Sequence, residues 1–227
     1  MMVTAVVDLR AQFGEVRDQG DRPTCLAFAA SDAHAACRPA WEPLSSEYAF
    51  FHAQKRAGQP PDRGTYLEPM LEALRLDGQP LEYSWPYLAT LPPDLTSYAP
   101  PASVGEIFGR DGGRQSIGFD RITGALDNGK PVITLMKLTM AFFQPPVQGV
   151  IDYVDGDDVF PVPRHAVIAV GHGSTGSTDV VLIRNSWGSS WGQDGYAWVS
   201  RAFVEKNLFD MAILTEETDV PHCAAAA

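Results

Sequence analysis

The sequence is poor in cysteine, in positive charge and in long apolar runs. Three cysteines, Cys25, Cys37 and Cys223, do not make the even framework of a disulfide-rich secreted protein, so we expect a reducing, cytoplasmic location. With 17 Lys and Arg against 28 Asp and Glu, most of the surface repels phosphate backbones, which argues against a nucleic-acid partner. No apolar run approaches the roughly 20 residues of a membrane span.

Signals for export and for metal binding are equally scarce. The N-terminus has only about five consecutive apolar residues before Asp8, too few for a secretory signal. His34 and Cys37 lie one helical turn apart, but no second ligand pair follows, so no metal is expected. The alanine-rich tail at 222–227 resembles a cloning scar.

Hydrophobic residues make up 45% of the 227, which is ordinary for a globular protein. The first hundred residues favour helices at about 24–37, 44–57 and 66–76, the first with Thr24 as its cap. A stiff connector with four prolines follows at 92–101. Beyond it, short runs rich in β-branched residues predict strands, in the segments KPVITLMKL, QGVIDYV, RHAVIAVGHG, TDVVLIRNS and GYAWVS.

Four segments combine residue types that support nucleophilic chemistry. They are VRDQGDRPTCLAFA at 16–29, LSSEYAFF at 44–51, RHAVIAVGHG at 164–173 and IRNSWGSSWGQDGYAWVS at 183–200. Taken singly, the key residues have ordinary explanations. Cys25 is then a buried helical cysteine, His165 a structural histidine, the NSWG sequence a turn, and Gln19 a surface glutamine. Together and in this order they resemble the papain family of cysteine peptidases over nearly the whole chain. His165 lies 140 residues after Cys25, and Asn185 lies 160 residues after Cys25. Both distances are close to the spacing of that family, about 130–150.

The resemblance implies a single catalytic domain over residues 1–221 with an α+β, two-lobe fold. A mostly helical lobe takes about 10–100, an antiparallel, barrel-like β lobe takes about 101–215, and the active-site cleft lies between them. The implied member is disulfide-poor and of prokaryotic type, acts as a monomer without a cofactor, and takes a peptide or protein substrate. A protein inhibitor or regulatory partner is a further expectation.

The resemblance also assigns catalytic roles. Cys25 is the nucleophile, and a helix N-terminus beside an imidazole favours its thiolate. His165 is the base, Asn185 orients its ring, and Gln19 donates to the developing oxyanion. Trp187 resembles the indole that shields the His–Asn bond from water.

Two departures from the family pattern concern the loop before the nucleophile. Arg22 replaces the cysteine expected there, and the partner region reads Asp62-Arg63-Gly64-Thr65, so both halves of a family disulfide are missing. We expect proline and packing to restrain the loop instead. Gly64 and Thr65 correspond to a strip that binds the substrate backbone, and Thr65 in place of a second glycine leaves those contacts in doubt.

The resemblance further implies that Val132, Ala166 and Leu214 line an apolar pocket for the substrate side chain two residues before the cut. Because these residues are apolar, we expect the pocket to favour Leu, Val or Phe. Two other functions remain open. The same acyl-enzyme resolved by an amine makes a ligase, a transferase or a dedicated maturation protease, and a relative that has lost activity binds peptides only.

Overall fold

The computed structural model describes residues 2–146, 149–157, 159 and 164–220. The chain packs into two compact units. The sheet unit contains the described residues of 1–18 and 114–213, and the helical unit contains those of 19–113 and 214–227. Cys223, the predicted tail and the start of the QGVIDYV segment lie outside the described residues. The single domain of 1–221, with its lobes at about 10–100 and 101–215, stays a prediction.

The helical unit contains the three predicted helices. They are α1 (Cys25–Ala36), α2 (Ser46–Ala57) and α3 (Leu67–Leu76). Helix α2 begins where the Ser45 side chain accepts a bond from the backbone N–H of Tyr48, and it ends at Gly58, whose positive φ suits glycine. The proline-rich connector has one short 3₁₀ turn at Leu95–Ser97. The three predicted helices are therefore confirmed to within about two residues.

The capping prediction for α1 was half right. Thr24 is the residue before the helix, but its side chain makes no capping bond. Its Oγ1 instead lies 3.0 Å from Oη of Tyr87. A tertiary hydrogen bond therefore replaced the local cap.

The sheet unit holds most of the strands: β1 (Thr4–Asp8), β3 (Val132–Lys137), β4 (Val150–Ile151), β5 (Arg164–Ser174), β6 (Asp179–Arg184) and β7 (Tyr196–Ser200). The long strand β8 (Leu208–Thr218) passes from this unit into the helical unit, where β2 (Gly109–Arg114) lies beside it. The order within the sheet unit is β8-β3-β5-β6-β7-β4, with β1 paired to β5. All these pairs are antiparallel except β4 with β7, and the path is open.

Three further helices complete the sheet unit: α4 (Phe119–Asp127), α5 (Met140–Phe143) and α6 (Arg201–Asn207). The apolar faces of α4 and α6 pack on the sheet through Ile122, Leu126 and Phe203, all buried. The sequence did not predict β1, β2, β8 or these helices. The predicted α+β class, with one mostly helical unit and one unit built on a sheet, is confirmed. No helix in the described part of the chain has the length and apolarity that a membrane crossing requires.

Candidate active site

Cys25 is the first residue of α1 and is partly buried. The peptide N–H groups at a helix start have no partners within the helix and carry partial positive charge, which favours a thiolate. The loop before it is tightly bonded, since the Arg22 carbonyl accepts from the backbone N–H of Thr24 at 2.8 Å. The helical unit therefore holds this sulfur at a defined helix end.

Gln19 is buried six residues before the cysteine. Its side-chain Nε2 donates to the backbone carbonyl oxygen of Arg22 at 2.8 Å. The backbone carbonyl oxygen of Gln19 accepts from the Tyr87 hydroxyl at 2.6 Å. An amide nitrogen has two N–H groups, so the bond to Arg22 fixes the direction of the second. The predicted oxyanion donor is thus a side chain with one orientation.

The loop that carries Gln19 and Cys25 contains a buried ion pair that the sequence did not predict. Arg22 is only 7% exposed and Glu47 is fully buried, and Arg22 Nη1 lies 2.6 Å from Glu47 Oε2. Neither described cysteine, Cys25 or Cys37, is in a disulfide. The expectation that proline and packing restrain this loop was incomplete, because the charged group at position 22 also makes directional bonds.

Gly64 and Thr65 lie in the helical unit just before α3. A Cβ at Gly64 would come no closer than 3.8 Å to Pro23 O, so the position tolerates a side chain. Thr65 Oγ1 is buried, and the described residues offer it no hydrogen-bond partner. The role of this strip in substrate binding stays a prediction.

His165 stands near the start of β5, and Asn185 directly follows β6. The Nε2 atom of His165 lies 2.6 Å from Asn185 Oδ1. The same oxygen accepts a hydrogen bond from the backbone N–H of Ser186 at 2.8 Å. Because the oxygen accepts both bonds, His165 Nε2 carries a proton, and the neutral form of the ring has its lone pair on Nδ1. The sheet unit therefore fixes the tautomer that a general base needs.

Aromatic rings enclose this imidazole. Its centroid is 4.6 Å from that of Trp187 and 5.9 Å from that of Phe142. The ring of Phe143 stacks on the Trp187 indole with centroids 5.5 Å apart. Burial lowers the pKa of His165 to about 4, against a smaller opposing effect of the bond to Asn185. These aromatic rings thus keep the imidazole uncharged and exclude water from the hydrogen bond between His165 and Asn185.

The predicted pocket residues are distributed differently from expectation. Val132 and Ala166 are both buried, but Val132 lies opposite Ala169, three ladder positions or about 10 Å from Ala166. The residue directly across from Ala166 is Leu135, which is partly exposed. Leu214, also buried, belongs to the helical unit. The pocket stays a prediction, with Leu135 as a neighbour of Ala166 that sequence reasoning missed.

The structure brings the predicted residues together in two groups. In the sheet unit His165 contacts both Asn185 and Trp187. In the helical unit Gln19 and Cys25 lie on one hydrogen-bonded loop. Sequence reasoning missed Phe142, whose aromatic neighbour Phe143 was the one visible signal. Among the described residues, no group of three or more His, Cys, Asp and Glu side chains is arranged to hold a metal ion.

A family model and several curated proteins are similar to parts of this chain. Residues 108–215 match the model of the papain family cysteine protease. Cathepsin O of Homo sapiens is 63% identical over 36 residues, which are 16% of this chain and 11% of that protein. The chain spans 10–21% of the length of other curated cysteine proteases that it matches.

Solved structures extend the likeness of fold to more than nine tenths of the chain. Xylellain, a cysteine protease from Xylella fastidiosa, aligns with TM-score 0.74 and 21% identity over 94% of this chain and 87% of its own. The Carica candamarcensis protease CMS1MS2, solved with E-64, aligns with TM-score 0.69 and 22% identity over 92% and 97%. Residues 108–215 therefore resemble the papain family of cysteine proteases, and the predicted papain-like fold of the chain is confirmed.

Proposed function

We propose that this protein is a cysteine endopeptidase in which Cys25 is the nucleophile, His165 the base, Asn185 the residue that orients the base, and Gln19 an oxyanion donor. The observation that carries the proposal is the buried His165–Asn185 bond under Trp187, with the proton on Nε2. Asn185 Oδ1 accepts hydrogen bonds from His165 Nε2 and from the Ser186 N–H, and this keeps the lone pair of the neutral ring on Nδ1. A histidine with a purely structural role does not need that lone pair.

The chemistry follows from these assignments. Nδ1 of His165 takes the thiol proton, and the sulfur of Cys25 attacks the scissile carbonyl carbon. The carbonyl oxygen gains negative charge and receives hydrogen bonds from the Gln19 amide and the backbone N–H of Cys25. When the C–N bond breaks, His165 returns the proton to the leaving amine, and a thioester remains.

Water activated by the same imidazole then adds to the thioester carbon, releasing the acid and regenerating the thiol. Asn185 holds the ring through both proton transfers, since its oxygen is fixed by the Ser186 N–H. Trp187 and Phe142 exclude the water that would compete for that bond. No step requires a cofactor.

The substrate is proposed to be an extended peptide or protein segment with an apolar residue two positions before the cut. Ala166 and Leu135 support this, because both are apolar and lie opposite each other on β5 and β3. A monomer is proposed as the active form. The cytoplasmic location stays a prediction.

Titration with E-64, a thiol-directed epoxide, tests the assignment of the nucleophile. We expect one equivalent to abolish peptide hydrolysis and peptide mapping to place the adduct on Cys25. A Cys37→Ser variant is the matched control and should titrate identically. Labelling of Cys37 at a similar rate, or an unlabelled folded protein, contradicts the proposal.

Product analysis separates hydrolysis from transfer. Incubation of a peptide substrate with an added amine nucleophile, followed by mass spectrometry, should give the free carboxylic acid as the main product. A dominant amide product would favour the ligase or transferase over the endopeptidase.

A further inference from the structure

A circuit of hydrogen bonds, closed by the peptide bond between Tyr87 and Leu88, passes through the loop that carries Gln19 and Cys25. We call it the Arg22 circuit: the side chains of Arg22, Glu47 and Tyr87, the backbone of Leu88, and Gln19. All of these belong to the helical unit. The circuit joins segments separated by 25 to 68 residues along the chain.

The ion pair is the fixed part of the circuit. Arg22 Nη1 and Nη2 contact the two oxygens of Glu47 at 2.6 and 2.9 Å, a forked arrangement available to arginine and not to lysine. Glu47 also accepts from the hydroxyl of Tyr98 and from the backbone N–H of Leu88. The buried carboxylate therefore has four donors, which is the condition for a buried charge to be tolerated.

The same guanidinium fixes the neighbouring segment. Arg22 Nη1 donates to the carbonyl oxygen of Leu88 at 2.5 Å, so Leu88 is bonded through both its N–H and its C=O. The preceding residue, Tyr87, has its ring 5.1 Å from the guanidinium carbon. Its backbone N–H donates to Glu82 Oε1 at 2.8 Å. Tyr87 is thus positioned both by its backbone hydrogen bond to Glu82 and by the contact of its ring with Arg22.

The phenol reaches back to the loop. Tyr87 Oη donates to the Gln19 carbonyl at 2.6 Å, which leaves the Thr24 hydroxyl at 3.0 Å to donate to Oη. Gln19 Nε2 closes the circuit on the Arg22 carbonyl at 2.8 Å. Both the backbone and the side chain of Gln19 are therefore bonded to members of the circuit.

We propose that Tyr87, held by the Arg22–Glu47 pair, is a positioning residue that sets the orientation of the Gln19 amide for oxyanion binding. The inference rests on the proposed function. An oxyanion donor contributes only when its N–H lies about 2.7–3.1 Å from the developing charge, so a small displacement of Gln19 lowers the rate. Tyr87 itself touches no reacting atom.

The test is Tyr87→Phe, which removes one hydroxyl and keeps the ring against Arg22. We expect kcat for a peptide substrate to fall about tenfold, a part of the hundredfold or more that loss of a whole oxyanion donor costs, with KM changed less than twofold. Alkylation of Cys25 by iodoacetamide should stay within twofold, since that displacement develops no oxyanion. Tyr83→Phe, at a residue 78% exposed, is the matched control and should change neither rate.

A double-mutant cycle with Gln19→Ala shows whether Tyr87 acts through Gln19. The tenfold effect of Tyr87→Phe should vanish in the Gln19→Ala background, because the group being positioned is already gone. Full additivity of the two effects, or an unchanged kcat in folded Tyr87→Phe, overturns the proposal.

A second variant tests the ion pair. Arg22→Met with Glu47→Gln avoids an unpaired buried charge, and the new amide oxygen still accepts from Tyr98. We expect the same selective loss of kcat with alkylation retained, and an unchanged kcat in this folded variant contradicts a role for the pair. Failure of the proposed function looks different, since Cys25 in the parent protein would then be neither alkylated faster than Cys37 nor required for hydrolysis.

Discussion

Around Gln19 and Cys25 the helical unit places ionised and hydroxyl groups, whereas around His165 and Asn185 the sheet unit places aromatic rings. Arg22, Glu47 and Tyr87 restrain their loop through directional bonds. Phe142 and Trp187 act on the imidazole by excluding water, and the low pKa of His165 is the result.

The difference follows from what each group must do. A donor such as Gln19 has to point in one direction, and only hydrogen bonds specify direction. A base must be neutral before it reacts, and burial supplies that. The five predictions below test this contrast, in descending order of expected effect.

The largest effect tests whether the two regions serve one reaction. Cys25→Ala and His165→Ala should each lower kcat/KM by at least about a thousandfold, and the double variant should be scarcely worse, because the pair acts as a unit. Asn185→Ala should lose less. A fluorogenic peptide with Leu two residues before the cut is the assay, and retention of more than a few per cent of the activity in Cys25→Ala would falsify the assignment.

Breaking the polar region should cost stability. Arg22→Met leaves Glu47 buried without its cation and should lower the free energy of unfolding by about 3–5 kcal/mol, measured by urea denaturation. Arg10→Met is the control, since Arg10 is 48% exposed in its ion pair with Asp8 and should contribute about 1 kcal/mol or less. Equal losses at the two sites would contradict the contrast between buried and exposed pairs.

The helical unit also buries a neutral imidazole. His34 is fully buried, its Nδ1 contacts Gln79 Oε1 at 3.0 Å, and burial lowers its pKa to about 3. The unfolded state therefore binds more protons than the folded state between about pH 3 and 6.5, and stability falls as the pH drops through that window.

The contribution of His34 to this loss should be about 3 kcal/mol between pH 7 and pH 4. His34→Gln should flatten the pH dependence of the urea-unfolding free energy by that amount. An unchanged slope would mean that His34 titrates normally in the folded protein.

Removing one of the aromatic rings around His165 should raise the pKa of its imidazole. In a Cys25→Ala background, which removes any thiolate charge, Trp187→Ala admits water and should raise this pKa from about 4 towards about 6.5. NMR titration of the imidazole measures it. Trp198→Ala, on β7, is the matched control, and a pKa that stays near 4 after loss of Trp187 would show that the indole is not the cause of the shift.

The smallest expected effect is that of a reductant on stability. Because Arg22 stands where the resemblance to the papain family predicts a cysteine, and neither Cys25 nor Cys37 is in a disulfide, the melting temperature should be nearly the same with and without reductant. A structural bridge would contribute about 2–4 kcal/mol. Activity, in contrast, should need the reductant, and a clear drop in melting temperature on reduction would count against this account of the cysteines.

Local patterns predicted much of the fold. Helices α1 to α3 and strands β3, β5, β6 and β7 were found because their apolar spacing, alanine content or β-branched runs are strong over short windows. Helix α4 was missed because its nine residues include Gly124 and only two turns of apolar spacing. Strand β1 was missed because four of its five residues are exposed, so burial leaves no clear pattern.

The sequence by itself determined the order and spacing of Cys25, His165, Asn185 and Gln19, because those residues sit in short segments whose composition is tied to chemistry. Tertiary structure decided how they are held. Glu47 lies 25 residues from Arg22 and Tyr87 lies 68 from Gln19, and Leu135 meets Ala166 only through the register of two strands. Such partners are chosen by how distant segments pack, and no local pattern in one sequence records that choice.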